Sequence, residues 1–142
     1  MNIQRFAAAV VAVYLVLWAL AIGLFDYALA AQLVGLKAVF RPEVEMNQLV
    51  IWTAGGHFLQ VLVFCYIFLK GYEQKGVMEG VRYGLLIGLL FATTDLTWRA
   101  GLPIDTGTTI AWALADLIMW TVGGAVLAAI YRPADDQAVA DG

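Results

Sequence analysis

Polar side chains interrupt stretches of this sequence that are otherwise almost free of charge, and their types could hold a ligand or carry a proton. They are His57, Gln60, Asp95, Arg99 and Asp116. Asp116 is the only charged residue in the 26-residue run 106–131, and a charged side chain at the centre of a bilayer costs about 2.5–3.5 kcal/mol. Its functional interpretations are a protonatable coupling site or a counter-ion for a cationic ligand. Its structural interpretation is a hydrogen bond between helices or a pair with Arg99.

The other polar residues also have two interpretations each. Asp95 and Arg99, four residues apart, either belong to a polar site or pair with each other at the membrane interface. His57 is either a ligand or proton carrier, or a hydrogen-bonded packing residue. Asp95, Asp116 and His57 could together bind a divalent metal, but their spacing has no ligand signature, so no metal is predicted. Because the chain has one His and one Cys, a haem with two His ligands and a His- or Cys-rich zinc site are excluded, and no cofactor is expected.

The elements that must position these residues follow from the hydrophobic runs. Of the 142 residues, 63% are hydrophobic and 13% are charged, about half the charge of a soluble domain, which indicates a membrane protein. Since a spanning helix needs about 20 residues, the predicted fold class is all-α, an integral membrane four-helix bundle in one domain, residues 1–132. The predicted helices are 4–25, 47–69, 77–99 and 108–131, with an outer interfacial amphipathic helix at 27–40 and a disordered acidic tail at 133–142.

The first hydrophobic run has a rival interpretation as a signal peptide, because Arg5 precedes it and the Ala-Leu-Ala at 28–30 resembles a cleavage site. The apolar region of a signal peptide has about 7–15 residues. The run from Phe6 to Phe25 has 20 uncharged residues. It is therefore predicted to be a retained span.

Helices that alternate in direction would bring the polar residues to similar depths. At 1.5 Å per residue, His57 and Asp116 lie roughly 12–13 Å inside the starts of their predicted helices, and Asp95 lies roughly 5 Å from the end of its own. These residues, with Gln60 and Arg99, therefore belong to one half of the bundle. The sequence predicts a shared ligand or proton site there.

Tryptophans near that half have two expected roles. Trp52, Trp98 and Trp112 lie near helix ends and are expected in an interfacial aromatic belt. Trp120, one turn from Asp116, either walls the polar site or packs in the core.

Small residues recur every four positions on the third predicted helix, at Gly80, Gly84, Gly88 and Ala92. This spacing places them on one helical face, where they let a neighbouring helix approach closely in a bilayer. The expected partner is the fourth helix or a second copy of the chain.

Basic residues predict the orientation, because loops rich in Lys and Arg stay on the cytoplasmic side. The two sides of the predicted spans carry Arg5, Lys70, Lys75, Arg82 and Arg132 against Lys37, Arg41 and Arg99. Both termini are therefore expected in the cytoplasm, with the polar half of the bundle towards the outer side.

Two segments, GYEQKGVMEGVRYGLLIGLL and DLTWRAGLP…ADLIMWTVGGAVLAAIYRP, are similar to known sequences. They resemble bacterial families of small four-helix integral membrane proteins, domains of unknown function to which no activity is attached. The resemblance covers roughly helices two to four and rests on glycine-rich packing sequences. It implies the fold and an inner-membrane location, and it carries over no catalytic residues.

Three classes of function fit these features. The first is binding or transport of a small molecule or ion through the outer-half polar site, although the first helix lacks the acid that small multidrug exporters carry there. The second is a non-catalytic accessory or structural subunit that docks on a larger membrane complex through its glycine face. The third, a membrane enzyme using His57 and the two aspartates, ranks last because no nucleophile, metal pattern or cofactor fingerprint is present.

Binding or transport is preferred among the three. The expected partners are the lipid bilayer and either a second copy of the chain or a larger membrane complex. The net charge of −3 argues against a nucleic-acid partner.

Overall fold

Helices make up almost all of the chain that the computed structural model describes, which is residues 2–34 and 40–131. No strand is present in these two ranges. The α-helices are α1 (Ile3–Ala21), α2 (Ala30–Val34), α3 (Glu43–Gln48), α4 (Val50–Lys70), α5 (Val77–Gly101) and α6 (Thr106–Ile130), and a π-helical segment, Ile22–Ala28, continues α1.

Within the described ranges, four helical stretches are long and apolar enough to cross a membrane. They are α1 with its π-helical continuation, α4, α5 and α6, and they contain 21 to 26 residues each, where about 20 suffice for the hydrocarbon core. The predicted all-α fold class, a four-helix membrane bundle, is therefore confirmed.

Side-chain caps explain where two of the long helices begin. Asn2 and Asp105 accept hydrogen bonds from the backbone N–H groups of Arg5 (3.2 Å) and Thr108 (3.0 Å), donors that have no carbonyl partner in a first helical turn. The Thr108 hydroxyl also donates to the Asp105 carboxylate. This hydroxyl and the Thr108 backbone N–H together hold the pKa of Asp105 below its ordinary value.

The polar loop between α4 and α5 is organised by Glu79. Its carboxylate accepts hydrogen bonds from the backbone N–H groups of Glu73 (2.6 Å) and Lys75 (2.8 Å). Glu73 and Lys75 also form an exposed ion pair, and the hydrogen bond and positive charge of Lys75 hold the pKa of Glu73 below its usual range. An exposed pair of this kind adds little stability, so the two backbone contacts to Glu79 constrain the loop more than this ion pair does.

The hydrophobic core lies where α1 begins and where α4 and α6 end, and we call this half of the bundle the terminal half. Its buried side chains come from three helices and include Val13 and Leu17 of α1, Val61, Phe64 and Phe68 of α4, and Leu127 and Tyr131 of α6. The opposite half, where α5 ends and α6 begins, is called the cavity half because it contains the two largest openings described below.

Helices α5 and α6 form the closest pair in the bundle. The residues of α5 that are buried at this contact are Gly80, Gly84, Gly88 and Ala92. A Cβ atom at Gly80 would overlap the carbonyl oxygen of Gly124, and one at Gly84 would overlap that of Trp120. At Gly88 a Cβ atom would lie 3.0 Å from the Leu117 Cα. The small residues therefore allow backbone-to-backbone contact with α6 of the same chain.

Aromatic side chains, rather than backbones, join α4 to α5 and α6. The Tyr83 hydroxyl of α5 donates a hydrogen bond to the Phe64 carbonyl oxygen of α4 (2.6 Å). The Phe64 ring lies 5.0 Å from the Trp120 ring, and Trp120 stacks on Phe91 at 4.7 Å between ring centroids. Helix α4 thus stands at side-chain distance from the α5–α6 pair.

The connection between α1 and α4 differs in detail from the predicted surface helix at 27–40. Its beginning continues α1 as the π-helical segment, and α2 follows at Ala30–Val34. Residues 35–39 of the predicted helix, and the predicted tail at 133–142, lie outside the described residues. Pro42 occupies the position before α3, whose first turn carries two glutamates that complement the helix dipole. The second predicted span, 47–69, is therefore divided: its first two residues belong to the end of α3, and α4 begins at Val50 instead of residue 47.

Candidate functional site

Two carboxylic acids from adjacent helices face each other in the cavity half. The side chains of Asp95 on α5 and Asp116 on α6 line the same opening and are close enough to interact. The close packing of α5 on α6 sets Gly88 beside the Asp116 backbone, and Asp95 stands roughly 10 Å further along α5. Because side chains tilt towards the N-terminus of their own helix, Asp95 and Asp116 tilt towards each other in this antiparallel pair. A proton held between them would replace charge repulsion by a hydrogen bond.

The acid pair lines a cavity of about 970 Å³, which we call the acid cavity. Most of its wall is apolar, and three aromatic side chains contribute to it, Phe25, Phe40 and Trp112. Its charged residues are Asp26, Arg41, Glu43, Asp95 and Asp116. A concave, mainly apolar space of this size with a few convergent polar groups is typical of small-molecule sites.

Helices α5 and α6 form one part of this wall, and short elements between α1 and α4 form the rest. The π-helical segment carries Phe25 and Asp26, and α3 carries Glu43 and Met46. π-Helical turns are rare and occur frequently at functional sites. Ala30, Val34 and Phe40, which lie in the segment that the sequence assigns to the membrane surface, also line the cavity.

The described wall of the acid cavity has an excess of negative groups. Four carboxylic acids face one basic residue, Arg41. The Arg41 guanidinium also pairs with Glu45 one helical turn away, at 3.4 Å, which divides its charge between the cavity and that partner. The electrostatic potential of the cavity therefore favours a cation.

Two polar atoms in this wall are buried without a partner among the described residues. They are the acceptor Asp95 Oδ2 and the donor Trp112 Nε1. A buried polar group left unpaired costs about 1–3 kcal/mol. A ligand with a donor and an acceptor would pair both atoms.

His57 lies in a second cavity of about 490 Å³. Its ring centroid is 5.4 Å from that of Tyr14 and 5.7 Å from that of Trp18 on α1. Its side chain lies beside that of Gln60, and its Nε2 is buried without a partner among the described residues. Phe25 and Asp26 line both this cavity and the acid cavity. The structure therefore brings Asp95 and Asp116 together and places His57 in the adjoining space.

Gln60 and Trp120 are separate from the acid pair. Both line a third, mainly apolar cavity of about 400 Å³ beside the aromatic contacts of α4, and Gln60 also lines the cavity of His57. Trp120 is 4% exposed and packs between Phe64 and Phe91. In this chain Trp120 contributes to packing, and it does not line the acid cavity.

Arg99 is engaged outside the acid pair. Its Nη1 donates a hydrogen bond to the Ile104 carbonyl oxygen at 2.7 Å, which ties the end of α5 to the loop before α6. In the described part of the chain it forms no ion pair with Asp95 or Asp116. The pairing of Arg99 with an aspartate that the sequence suggests is therefore not formed.

Several wall residues were not predicted as site residues. Asp26 ends the first hydrophobic run, and Arg41 and Glu43 lie in a connection that is too apolar for a solvated loop. That apolar character was the available signal, because such a segment must cover other apolar surface. Trp112, expected in an interfacial belt, stands one turn from Asp116 on the same face of α6, a spacing that could have placed it in the site.

Comparison with known proteins adds no relative to this picture. No protein-family model, curated protein sequence or solved structure matches the chain.

Proposed function

We propose that this chain is a small multi-pass membrane protein that binds or transports a small molecule or ion through a polar site in the outer half of the bundle. The observation that supports this proposal most strongly is the acid cavity, in which the Asp95–Asp116 pair stands against a largely apolar wall. An acid pair that only joined two helices would need no adjoining space. A cavity of about 970 Å³ lies within the range of drug-sized ligand sites.

The test of this proposal is to fill the cavity. Ala30 lines it, so Ala30→Phe puts a ring into the space. Ala129→Phe is the matched control, because Ala129 is an exposed residue of α6 near its far end. Wild type and both variants are reconstituted in lipid nanodiscs and melted in the presence of a panel of small organic cations, organic anions, neutral molecules and inorganic ions.

We expect at least one compound to raise the melting temperature of wild type and of Ala129→Phe, and to leave Ala30→Phe unchanged. A panel without any stabilising compound, or one that stabilises all three proteins equally, contradicts the proposal. Uptake of the stabilising compound into proteoliposomes then distinguishes transport from binding.

We further propose that the protein lies in a bacterial inner membrane with both termini in the cytoplasm. The support is the resemblance described above and the excess of basic residues on the side of Arg5 and Lys70. Reporter fusions placed after Lys75 and after Gly142 should both report the cytoplasm. An external signal from either fusion would reverse the topology.

An accessory subunit remains the second proposal, for a different reason from the one the sequence suggests. The glycine face of α5 is already covered by α6. On α4, however, a Cβ atom at Gly55 or Gly56 would meet nothing within 4 Å, and most side chains from Val50 to Gln60 are exposed. Small residues in a span favour close approach of another helix, from a second copy or a larger complex. Gly55→Trp should then abolish co-purification of that partner while the chain still folds.

A further inference from the structure

We infer that the acid cavity takes an organic cation with an apolar body, its charged group against Asp95 and Asp116 and its body against Phe25, Phe40 and Trp112. This inference rests on the proposed function and names the ligand class of the same site.

The charge argument depends on where the four acids come from. Asp26 belongs to the π-helical segment, Glu43 to α3, Asp95 to α5 and Asp116 to α6. Four separate elements therefore contribute acids to the wall of one space, of which Asp95 and Asp116 are partly buried and Asp26 and Glu43 are exposed. This arrangement differs from a row of acids along one face of a single helix. The one basic residue of the described wall, Arg41, shares its charge with Glu45.

The shape of the wall selects an organic cation over a bare metal ion. Divalent metals such as Ca²⁺ need six to eight close oxygen ligands, and Mg²⁺ needs a compact octahedron. Within residues 2–34 and 40–131, no three His, Cys, Asp or Glu side chains stand close enough to hold a metal ion. The acids are instead spread around a space of about 970 Å³, which an ion with its own apolar bulk would fill.

The aromatic residues and the unpaired atoms supply the remaining contacts. A cation within about 6 Å of a Trp, Tyr or Phe ring is attracted to the face of that ring, and aromatic walls are a recurrent way to bind ammonium groups. Asp95 Oδ2 is a buried acceptor without a partner, which suits an N–H donor on the ligand. Trp112 Nε1 is a buried donor without a partner, which suits an acceptor such as an ether or carbonyl oxygen.

The test compares two probes of nearly the same size and shape and opposite charge, tetraphenylphosphonium and tetraphenylborate. Each is titrated into the full-length protein in nanodiscs, and empty nanodiscs are titrated to subtract partition into lipid. The variants are Asp116→Asn and Asp95→Asn. Asp105→Asn is the matched control, because it removes the same charge at the start of α6 but lies outside the cavity wall, and Asn also caps helices well.

We expect tetraphenylphosphonium to bind wild type and Asp105→Asn with equal affinity. It should bind Asp95→Asn and Asp116→Asn at least tenfold more weakly. Tetraphenylborate should not bind to any of the four proteins. Binding of tetraphenylphosphonium that is unchanged in both Asp95→Asn and Asp116→Asn overturns the inference. So does binding of the borate, or of a neutral compound, in place of the phosphonium.

Binding of the borate or of a neutral compound would still agree with the proposed function, provided that Ala30→Phe blocks the binding of that compound. If no compound of any charge binds, both the inference and the proposed function fail. Each variant is melted without ligand first. Should one of the two Asn variants be unfolded at the temperature of the titration, the other one decides the outcome.

Discussion

The α5–α6 pair is built differently in its two halves. In the terminal half the two backbones touch through Gly80, Gly84 and Gly124, and no space remains between them. In the cavity half the same pair carries Asp95 and Asp116 at the edge of a large opening. Along α5, the residues at the contact with α6 therefore change from glycines that leave no space between the helices to an aspartate that lines the acid cavity.

The difference shows that close helix packing in the terminal half can position side chains in the cavity half. Backbone contact permits almost no sliding, since any shift brings a carbonyl oxygen against a neighbouring Cα or Cβ atom. The glycine contacts thus fix the register of α5 on α6, and the register determines which residues of the cavity half meet. The two aspartates adjoin because of glycine contacts that lie about two to four helical turns away from Asp95.

The largest expected effect tests the backbone contact between α5 and α6 in the terminal half. Gly84→Leu should destabilise the protein by about 3 kcal/mol or more, because the new side chain overlaps the Trp120 backbone and the two helices must separate. The measurement is thermal unfolding in detergent. Gly55→Leu is the control, since a Cβ atom there meets nothing within 4 Å. Equal melting of the two variants would mean that α5 and α6 do not pack as described.

The next effect separates a role of the acid pair in stabilising the fold from its proposed role in binding a ligand. Asp116→Leu should destabilise by about 1–3 kcal/mol, because the partly buried Asp95 carboxyl then faces an apolar side chain instead of a polar one. Asp116→Asn retains a hydrogen-bonding group and should melt close to wild type. Both are followed by thermal unfolding at neutral pH. If the Leu variant is as stable as the Asn variant, the two acids do not depend on each other for stability.

A smaller effect concerns the attachment of α4, which uses side chains instead of backbone contact. Tyr83→Phe removes the hydrogen bond to the Phe64 carbonyl oxygen and should cost about 1 kcal/mol. Tyr27→Phe is the control, because Tyr27 is 78% exposed. Chemical denaturation in mixed micelles measures both. A loss for Tyr27→Phe equal to that for Tyr83→Phe would contradict the assignment of this contact.

The smallest effect lies at the rim of the cavity half and depends on pH. Hydrogen bonds from Thr108 lower the pKa of Asp105 in the folded protein. The resulting stabilisation is present above the ordinary aspartate value of 3.8 and is lost as the pH falls through the lowered pKa. Asp105→Asn keeps a capping group that does not titrate in this range, so it lacks this part of the pH dependence.

The measurement is the melting temperature of wild type and Asp105→Asn at neutral pH and in steps down to about pH 3. The advantage of the wild type should shrink on acidification. A difference between the two proteins that stays constant with pH would show that the Asp105 charge does not contribute to the cap.

The spans and the small-residue pattern were readable from the sequence because both depend on local spacing. A hydrophobic run of about 20 residues defines a span whatever it packs against. The recurrence of Gly80, Gly84 and Gly88 at one-turn intervals defines a helical face. The caps that the structure shows at Asn2 and Asp105 use residue types that favour this position.

The composition of the site required the tertiary structure. Depth along a helix placed His57, Asp95 and Asp116 in one half of the bundle, but depth carries no information on the rotation of each helix about its axis. The glycine contacts fix the rotation and register of α5 on α6 and so bring Asp95 near Asp116. The rotation of α4 is a separate matter, and it directs His57 towards Tyr14 and Trp18 of α1.

The contribution of the connecting elements was also decided only by the fold. Asp26 and Glu43 lie outside the predicted spans, and no local pattern relates them to Asp116, 90 and 73 residues further along the chain. The sequence by itself determined the four spanning helices and the acids available for a pair, because a span needs about 20 mainly apolar residues and a charge within it is costly. The tertiary structure decided which of those groups share a cavity, because side-chain direction depends on how each helix packs against its neighbours.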